Sequence, residues 1–292
     1  MILCVAANPS IDRLFAVEEL TPGQIHRPVE AVQVAGGKGL NVARAAAALG
    51  ADVRAAALLG GHSGRWIAEQ LEQEGVALEA VWKEGETRTS MSVAGSGAGL
   101  TEFYEHGPAV TPDDWHRFAD AVGRLAGAAR WMTLSGSLPP GSPADGYEAL
   151  IPHATTAFDS REAGIDACPQ VVKLNEVEAD AAGDPIAAAR RLQSRSKGAV
   201  VVTMGAAGAV MLTPDGNALE GRVDVTGAYP VGSGDAFLAG LVVSLGDGAG
   251  WDDALALALG AGAANAEVAG AGRLDGQRAH RLAERAVVRA AG

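Results

Sequence analysis

Short, nearly continuous apolar runs alternate with longer amphipathic or alanine-rich stretches along most of this chain. Runs of the first kind lie at 2–7, 53–59, 76–82, 131–134, 156–159, 171–174, 199–203 and 209–212. With little polar interruption, they read as strands covered on both faces. Stretches of the second kind follow Gly39 up to Gly50, fill 63–74 and 187–196, and close the chain at about 251–267 and 276–290. Another helix starts at Thr111-Pro112-Asp113-Asp114, which supplies a cap, a proline in the first turn and two acids behind it. Strands alternating with helices predict an α/β fold: a mostly parallel central sheet with helices on both faces.

Two segments have a different texture. Between Arg88 and Glu105, Thr89, Met91 and Val93 alternate with Arg88, Ser90 and Ser92, a glycine-bearing turn spans 95–99, and the chain returns over 100–105. That is an antiparallel hairpin. Residues 26–34 alternate more loosely. The expectation is one α/β domain over 1–292, with strands of a small lid inserted at about 13–34 and 88–105.

Composition narrows the function classes. With 292 residues, 48% of them hydrophobic and 20% charged, the chain has ample material for a core and is not disordered. A net charge of −12 disfavours a nucleic-acid partner, so an anionic substrate needs a local basic pocket. Cys4 and Cys168 lie far apart in apolar contexts and read as buried free thiols of a reducing compartment. No basic leader precedes the first strand and no run of about 18 apolar residues occurs. No membrane partner is expected, and the expected location is the cytoplasm.

The chemistry concentrates at strand ends. Val231-Gly232-Ser233-Gly234-Asp235 opens an unbroken small and apolar helix. Glycines there bare N–H groups at the positive end of the helix, which suits a phosphate. Asp235 would repel a bound anion, yet it makes sense as a base for a nucleophile attacking that phosphate. As an alternative, it is a first-turn acid favoured by the helix dipole. Asp12 follows the first strand, where open α/β sheets place ligands, or it simply ends a turn. Gly36-Gly37-Lys38-Gly39-Leu40-Asn41 is a glycine-rich turn into a helix, but not a Walker loop, since glycine follows the lysine. It either holds a ligand with Lys38 and Asn41 or merely caps the helix. Asn175 and Glu178, one turn apart on a starting helix, fit a hydrated magnesium ion with a phosphate, or a capping box. The six histidines are scattered, and no His/Cys metal cage is present in the sequence.

Together, Asn8-Pro9-Ser10-Ile11-Asp12, the Gly36–Ala43 run, Thr87-Arg88, Ser135-Gly136-Ser137-Leu138-Pro139-Pro140-Gly141, Lys173-Leu174-Asn175-Glu176-Val177-Glu178 and Val231–Asp235 stand in the order found in ribokinase-like sugar kinases of the phosphofructokinase B family. The resemblance covers essentially the whole chain and is strongest to the branch acting on phosphorylated hexoses, the 1-phosphofructokinases and tagatose-6-phosphate kinases. It implies that Asp12, Gly37, Lys38 and Asn41 hold sugar hydroxyls, while Arg88, Arg27 and Ser137 receive the substrate's phosphate. Lys173, Asn175 and Glu178 would attend the ATP phosphates and Mg2+, the last two through water. Thr203, Gly205, Gly208 and Asn265 would line the adenine and ribose side. Gly232, Ser233 and Gly234 would form the anion hole and Asp235 would be the base. Its helix-terminal position is expected to lower its pKa. Arg88 could instead be a surface residue paired with Glu86.

The implied reaction moves the γ-phosphoryl group of ATP to a phosphorylated ketohexose: fructose 1-phosphate, tagatose 6-phosphate or fructose 6-phosphate. A kinase of a free sugar or nucleoside, and a silent sugar-phosphate sensor, are the rivals. A homodimer through the lid is also implied. Several positions depart from the family pattern: Ser90 and Tyr104 replace lid amides, Tyr229-Pro230 precedes the anion hole, and Leu174 replaces a proline.

Overall fold

The computed structural model describes residues 1–95, 99–160, 164–181, 183–225 and 227–291. Its strands are β1 (Ile2–Ala6), β2 (Ser10–Val17), β3 (Glu30–Gly36), β4 (Val53–Leu59), β5 (Ala77–Trp82), β6 (Thr89–Gly95), β7 (Gly99–Tyr104), β8 (Trp131–Ser135), β9 (Thr156–Asp159), β10 (Val171–Asn175), β11 (Ala199–Thr203), β12 (Ala209–Leu212), β13 (Ala218–Arg222) and β14 (Val287–Ala290). Its helices are α1 (Lys38–Ala48), α2 (Gly61–Gln73), α3 (Pro112–Ala126), α4 (Pro185–Ser196), α5 (Ser233–Gly246), α6 (Trp251–Ala266) and α7 (Gly276–Ala283).

The large sheet runs β14-β13-β12-β11-β10-β9-β8-β1-β4-β5. It is parallel from β5 to β11, and β12, β13 and β14 continue it as antiparallel strands. Successive residues of β1 point to opposite faces, as a strand's period of two requires. Ile2, Cys4 and Ala6 join the core under α1, α5 and α6, whereas Leu3 and Val5 join the core under α3 and α4, with Tyr147 and Phe158. The second sheet, β3-β2-β6-β7, takes β3, β6 and β7 from the two segments with alternating texture and adds β2 from the stretch after β1.

Helix packing on the first face depends on missing side chains. A Cβ on Gly240 of α5 would lie 2.7 Å from the Leu257 carbonyl oxygen of α6 and 2.9 Å from the Ala258 Cα. Only glycine lets the two backbones approach this closely.

Several expectations need correction. Residues 26–29 form a loop, and β3 begins at Glu30. Asp12 does not end a strand: it lies inside β2, paired with Val34 and Ser90, because the chain turns at once into the small sheet. The helix expected over 276–290 stops at Ala283; its β-branched tail, Val287-Val288, pairs with β13 instead. After Asn175 the chain forms consecutive turns rather than a helix, with Asp180 at φ 49°. Cys168 is exposed, in a left-handed conformation after one 3-10 turn; Cys4 is buried as expected. Most of the turn expected at 95–99 lies outside the described residues. Among the described residues, no helix is long and apolar enough to cross a membrane.

Candidate active site

The loops that leave the carboxyl ends of β1, β8, β9 and β10 meet the N-termini of α1 and α5. Gly232 starts α5 at φ 84°, a left-handed conformation that bends the chain into the helix. A Cβ there would sit 2.6 Å from the Ala271 Cα, so the position is closed to larger residues. The Ser233 N–H donates to the Pro230 carbonyl at 3.2 Å, and the Asp235 N–H donates to Gly232. Among the described residues, the N–H groups of Gly232 and Gly234 have no protein acceptor, and the buried Ser233 hydroxyl has no partner. Lys173 Nζ lies 2.8 Å from where a Cβ on Gly234 would be. Bare N–H groups beside an ammonium make a cradle suited to a phosphate.

Asp235, in the first turn of α5, is buried, and its Oδ2 accepts from Asn41 Nδ2 at 2.9 Å. Its pKa is pushed up to about 6, contrary to the lowering expected from the helix end. Burial is the main cause and the Asp159 charge adds to it; together they outweigh Lys38, Lys173 and the Asn41 hydrogen bond.

Asp159 is the residue that sequence reasoning missed. Fully buried at the end of β9, it accepts from Lys38 Nζ at 2.8 Å and from Lys173 Nζ at 2.9 Å. Burial alone would raise its pKa, but Lys173 and Lys38 hold it below the usual carboxylate range. An acid closing the apolar run Thr156-Ala157-Phe158 is the one signal that marked it. Lys38 also meets Glu178 Oε1 at 3.1 Å. Burial would lower the Lys38 pKa; Asp159, Asp235 and Glu178 raise it instead, so the residue stays charged. Lys38, grouped by resemblance with the sugar-hydroxyl residues, has its ammonium held between Asp159 and Glu178.

Asn175 and Glu178 cap each other. Glu178 N–H donates to Asn175 Oδ1 at 2.7 Å, and Asn175 N–H donates to Glu178 Oε2 at 3.0 Å. That is capping-box reciprocity, without the helix. Thr203, paired in register with Asn175, ends β11, and Gly205 and Gly208 (φ 56° and 99°) turn the chain into β12. Asn265, grouped by resemblance with these residues, lies near the end of α6. It is fully buried, its Nδ2 donating to the carbonyls of Gly270 and Arg273 at 3.2 and 3.0 Å, so it braces the loop behind Gly232.

On the opposite side, Asp12 Oδ2 accepts from the Gly37 N–H at 3.0 Å, and the Ser10 hydroxyl donates to its other oxygen. Burial raises its pKa against the pull of Ser10, Gly37, Arg88 and Arg44. Asn8 Nδ2 donates to Ser137 Oγ at 3.0 Å, joining the β1 and β8 loops. Arg88 donates to the Asn8 carbonyl at 3.2 Å and to Ser90 Oγ at 3.0 Å. It does not pair with Glu86, whose carboxylate caps α2 through the N–H groups of His62 and Ser63. Among the described residues, no carboxylate makes an ion pair with Arg88. Arg27 is not brought to this cluster: it is exposed on the β2–β3 loop and bonds neither Arg88 nor Ser137.

Comparison with known proteins gives the geometry a context. A family model described as pfkB family carbohydrate kinase matches residues 1–275. The 1-phosphofructokinase of Haloferax volcanii is 32% identical over 269 residues, 87% of either chain. A point variant of phosphofructokinase-2 from Escherichia coli superposes with a TM-score of 0.86 at 25% identity, over 97% of this chain and 98% of that one. A Thermotoga maritima protein described as a possible 1-phosphofructokinase superposes with a TM-score of 0.89 over the whole of both chains, at 22% identity. The chain, with its anion cradle and buried carboxylate at the ends of a mostly parallel sheet, belongs to the pfkB family of carbohydrate kinases.

Proposed function

We propose that this kinase transfers the γ-phosphoryl group of ATP to a hydroxyl of a phosphorylated ketohexose, with fructose 1-phosphate the foremost candidate. The observation that carries this reading is Arg88, a half-buried guanidinium held by carbonyl and hydroxyl oxygens with no carboxylate pairing it. Such a group is left ready for an anion, and with Ser137 and Asn8 beside it the anion would be the sugar's own phosphate. The Haloferax volcanii relative supports the choice of substrate.

In the mechanism, Asp235 accepts the proton of the attacking hydroxyl. Asp12, Gly37 and Asn41 orient the sugar. The N–H groups of Gly232 and Gly234, with Lys173 and Lys38, meet the charge that develops on the transferring group. Thr203, Gly205 and Gly208 would lie along the nucleotide. Among the described residues no cluster of three His, Cys, Asp or Glu is set to hold a metal ion. The donors present fit magnesium carried with a nucleotide, because that ion needs only one or two carboxylates beside phosphates and water. Glu178 and Asn175 would hold it, and it would supply charge neutralisation on the phosphates.

The test is a coupled ADP-release screen across fructose 1-phosphate, fructose 6-phosphate, tagatose 6-phosphate and free sugars. Turnover confined to phosphosugars is expected; free sugars turned over equally well would overturn the reading. The pH dependence follows from the raised pKa of Asp235. A base works only when ionised, so kcat/KM should fall about tenfold per unit below a midpoint near pH 6. The profile must be corrected for the titration of the substrate phosphate, which falls in the same range. A flat profile down to pH 5 would contradict the assignment.

The small sheet would close over the sugar as a lid, excluding water from the transfer. Its β2–β3 loop exposes Ile25 at 87% and Val29 at 70%, and its last strand exposes Phe103 at 59%. Apolar groups of this size on a thin sheet need cover, and we propose a second copy of the chain as that cover. Light scattering at micromolar concentration should give a dimer; a monomer would refute it.

A further inference from the structure

Arg44 is a buried cation on α1 to which neither the family resemblance nor the mechanism above gives a role. Four groups surround its guanidinium. Nε donates to Glu74 Oε2 at 2.7 Å, Nη1 to the Ala271 carbonyl at 3.0 Å and to Asn41 Oδ1 at 3.4 Å, and Nη2 to the Ala35 carbonyl. These partners come from the residue that caps the C-terminus of α2, from the loop behind Gly232, from α1 itself and from the end of β3. One guanidinium therefore joins the small sheet, the sugar-facing helix and the backing of the anion turn.

The contact with Asn41 has the most chemical content. An asparagine amide has one accepting and one donating end, and the two are nearly the same shape. Arginine has donors only, so Arg44 can pair only with the oxygen end. With Oδ1 held there, Nδ2 is the atom left for Asp235, at 2.9 Å. A flipped amide would leave Arg44 facing a donor and set a carbonyl oxygen against the Asp235 carboxylate, two repulsive contacts in place of two attractive ones.

We propose that Arg44 is a positioning residue for the transfer reaction, orienting the Asn41 amide so that its nitrogen, and not its oxygen, meets Asp235. Lysine could not replace it, because a single ammonium cannot reach Asn41, Ala271, Ala35 and Glu74 at once in the planes these acceptors require. Arg44 touches no substrate in this arrangement; it acts through Asn41. The inference rests on Asp235 being the base.

Arg44→Lys keeps the charge, so any change in the Asp235 titration reports geometry rather than lost electrostatics. The charged groups acting on Asp235 are Lys38 from α1, Asp159 from β9 and Lys173 from β10, and none of them is altered. Around Arg44 the charged neighbours are Glu74, Arg273 and Asp12, also unaltered. The acid limb of kcat/KM should move up by about one pH unit, equivalent to about 1.4 kcal/mol. The KM for ATP should stay within twofold. Asn41→Ala should move the limb in the same direction, and the double variant Asn41→Ala/Arg44→Lys should move it no further than Asn41→Ala alone. Additive shifts, or an unmoved limb in folded Arg44→Lys, would overturn the proposal. Should Arg44→Lys fail to fold, Glu74→Ala decides: it frees one side of Arg44 at a position 21% exposed and should shift the limb upward by a smaller amount, and an unmoved limb there overturns the proposal. Asp235→Asn keeps the two failures apart. If it abolishes turnover while the Arg44 and Glu74 variants leave the limb in place, only the role of Arg44 falls; if it retains turnover, the base assignment falls first.

Discussion

Replacing Asp235 with asparagine is expected to lower kcat by ~10²–10⁴-fold while nucleotide binding persists, the usual worth of a positioned acid–base group. The substitution is nearly isosteric. Asparagine can still accept from Asn41 Nδ2, so the first turn of α5 and the bare N–H groups of Gly232 and Gly234 should keep their places. What goes is the ability to take a proton. Steady-state kinetics together with nucleotide titration by calorimetry separates the two effects. A variant that kept most of its turnover would show that the hydroxyl loses its proton elsewhere. One that lost nucleotide affinity as well would show that the substitution had disturbed the anion turn.

Arg88→Ala is expected to reduce kcat/KM for the phosphosugar by roughly 10–150-fold. The estimate converts a charge-assisted contact of ~1.5–3 kcal/mol at ~1.4 kcal/mol per decade. A surface ion pair would be worth at most ~1 kcal/mol, and the geometry removes that alternative, because Glu86 is occupied at the start of α2. Arg88→Lys should recover only part of the loss, since an ammonium lacks the planar fork that matches phosphate. The KM for ATP should barely move. Unchanged phosphosugar kinetics in Arg88→Ala would return the enzyme to the broader class of sugar or nucleoside kinases.

The central strands of the large sheet, β1, β4 and β8–β12, were legible because they are buried on both faces and so read as plain apolar runs, whereas the exposed edge strand β14 was not. The small sheet was legible through the alternation at 89–93, but its first strand was not. Ser10–Val17 mixes polar and apolar residues without a clean period, since Asp12 turns to the Gly37 N–H and Arg13 to solvent rather than to core. At the site, the glycine turns at 36–39 and 232–234 could be read because each opens a helix. Asp159 could not, because its importance lies in two lysines that arrive from other elements, one of them on the far side of the chain at Lys38. The raised pKa of Asp235 was hidden for the same reason. Its place in a helix is a local fact that sequence reveals, whereas its burial is produced by every neighbour at once. Asn265 is the converse case: the resemblance implies a ligand role, and its packing against the loop at 270–273 could not be read from the sequence.

The glycine-mediated approach of α5 to α6 bears on how this enzyme could acquire a new substrate. Gly240 sits in the same helix as Asp235, and backbone meets backbone there, with no side chain between them that could adjust. Close-packed interiors transmit strain rather than absorb it, so an added methyl at Gly240 would be felt at the Asp235 carboxylate. Variation on this face is therefore nearly forbidden, while the four-stranded sheet and the Ser137 turn, attached at their ends and open on one side, can change without moving Asp235. Divergence in substrate choice, natural or by laboratory selection, should accumulate in residues 10–36, 88–105 and 135–141 and leave α5 and α6 almost untouched.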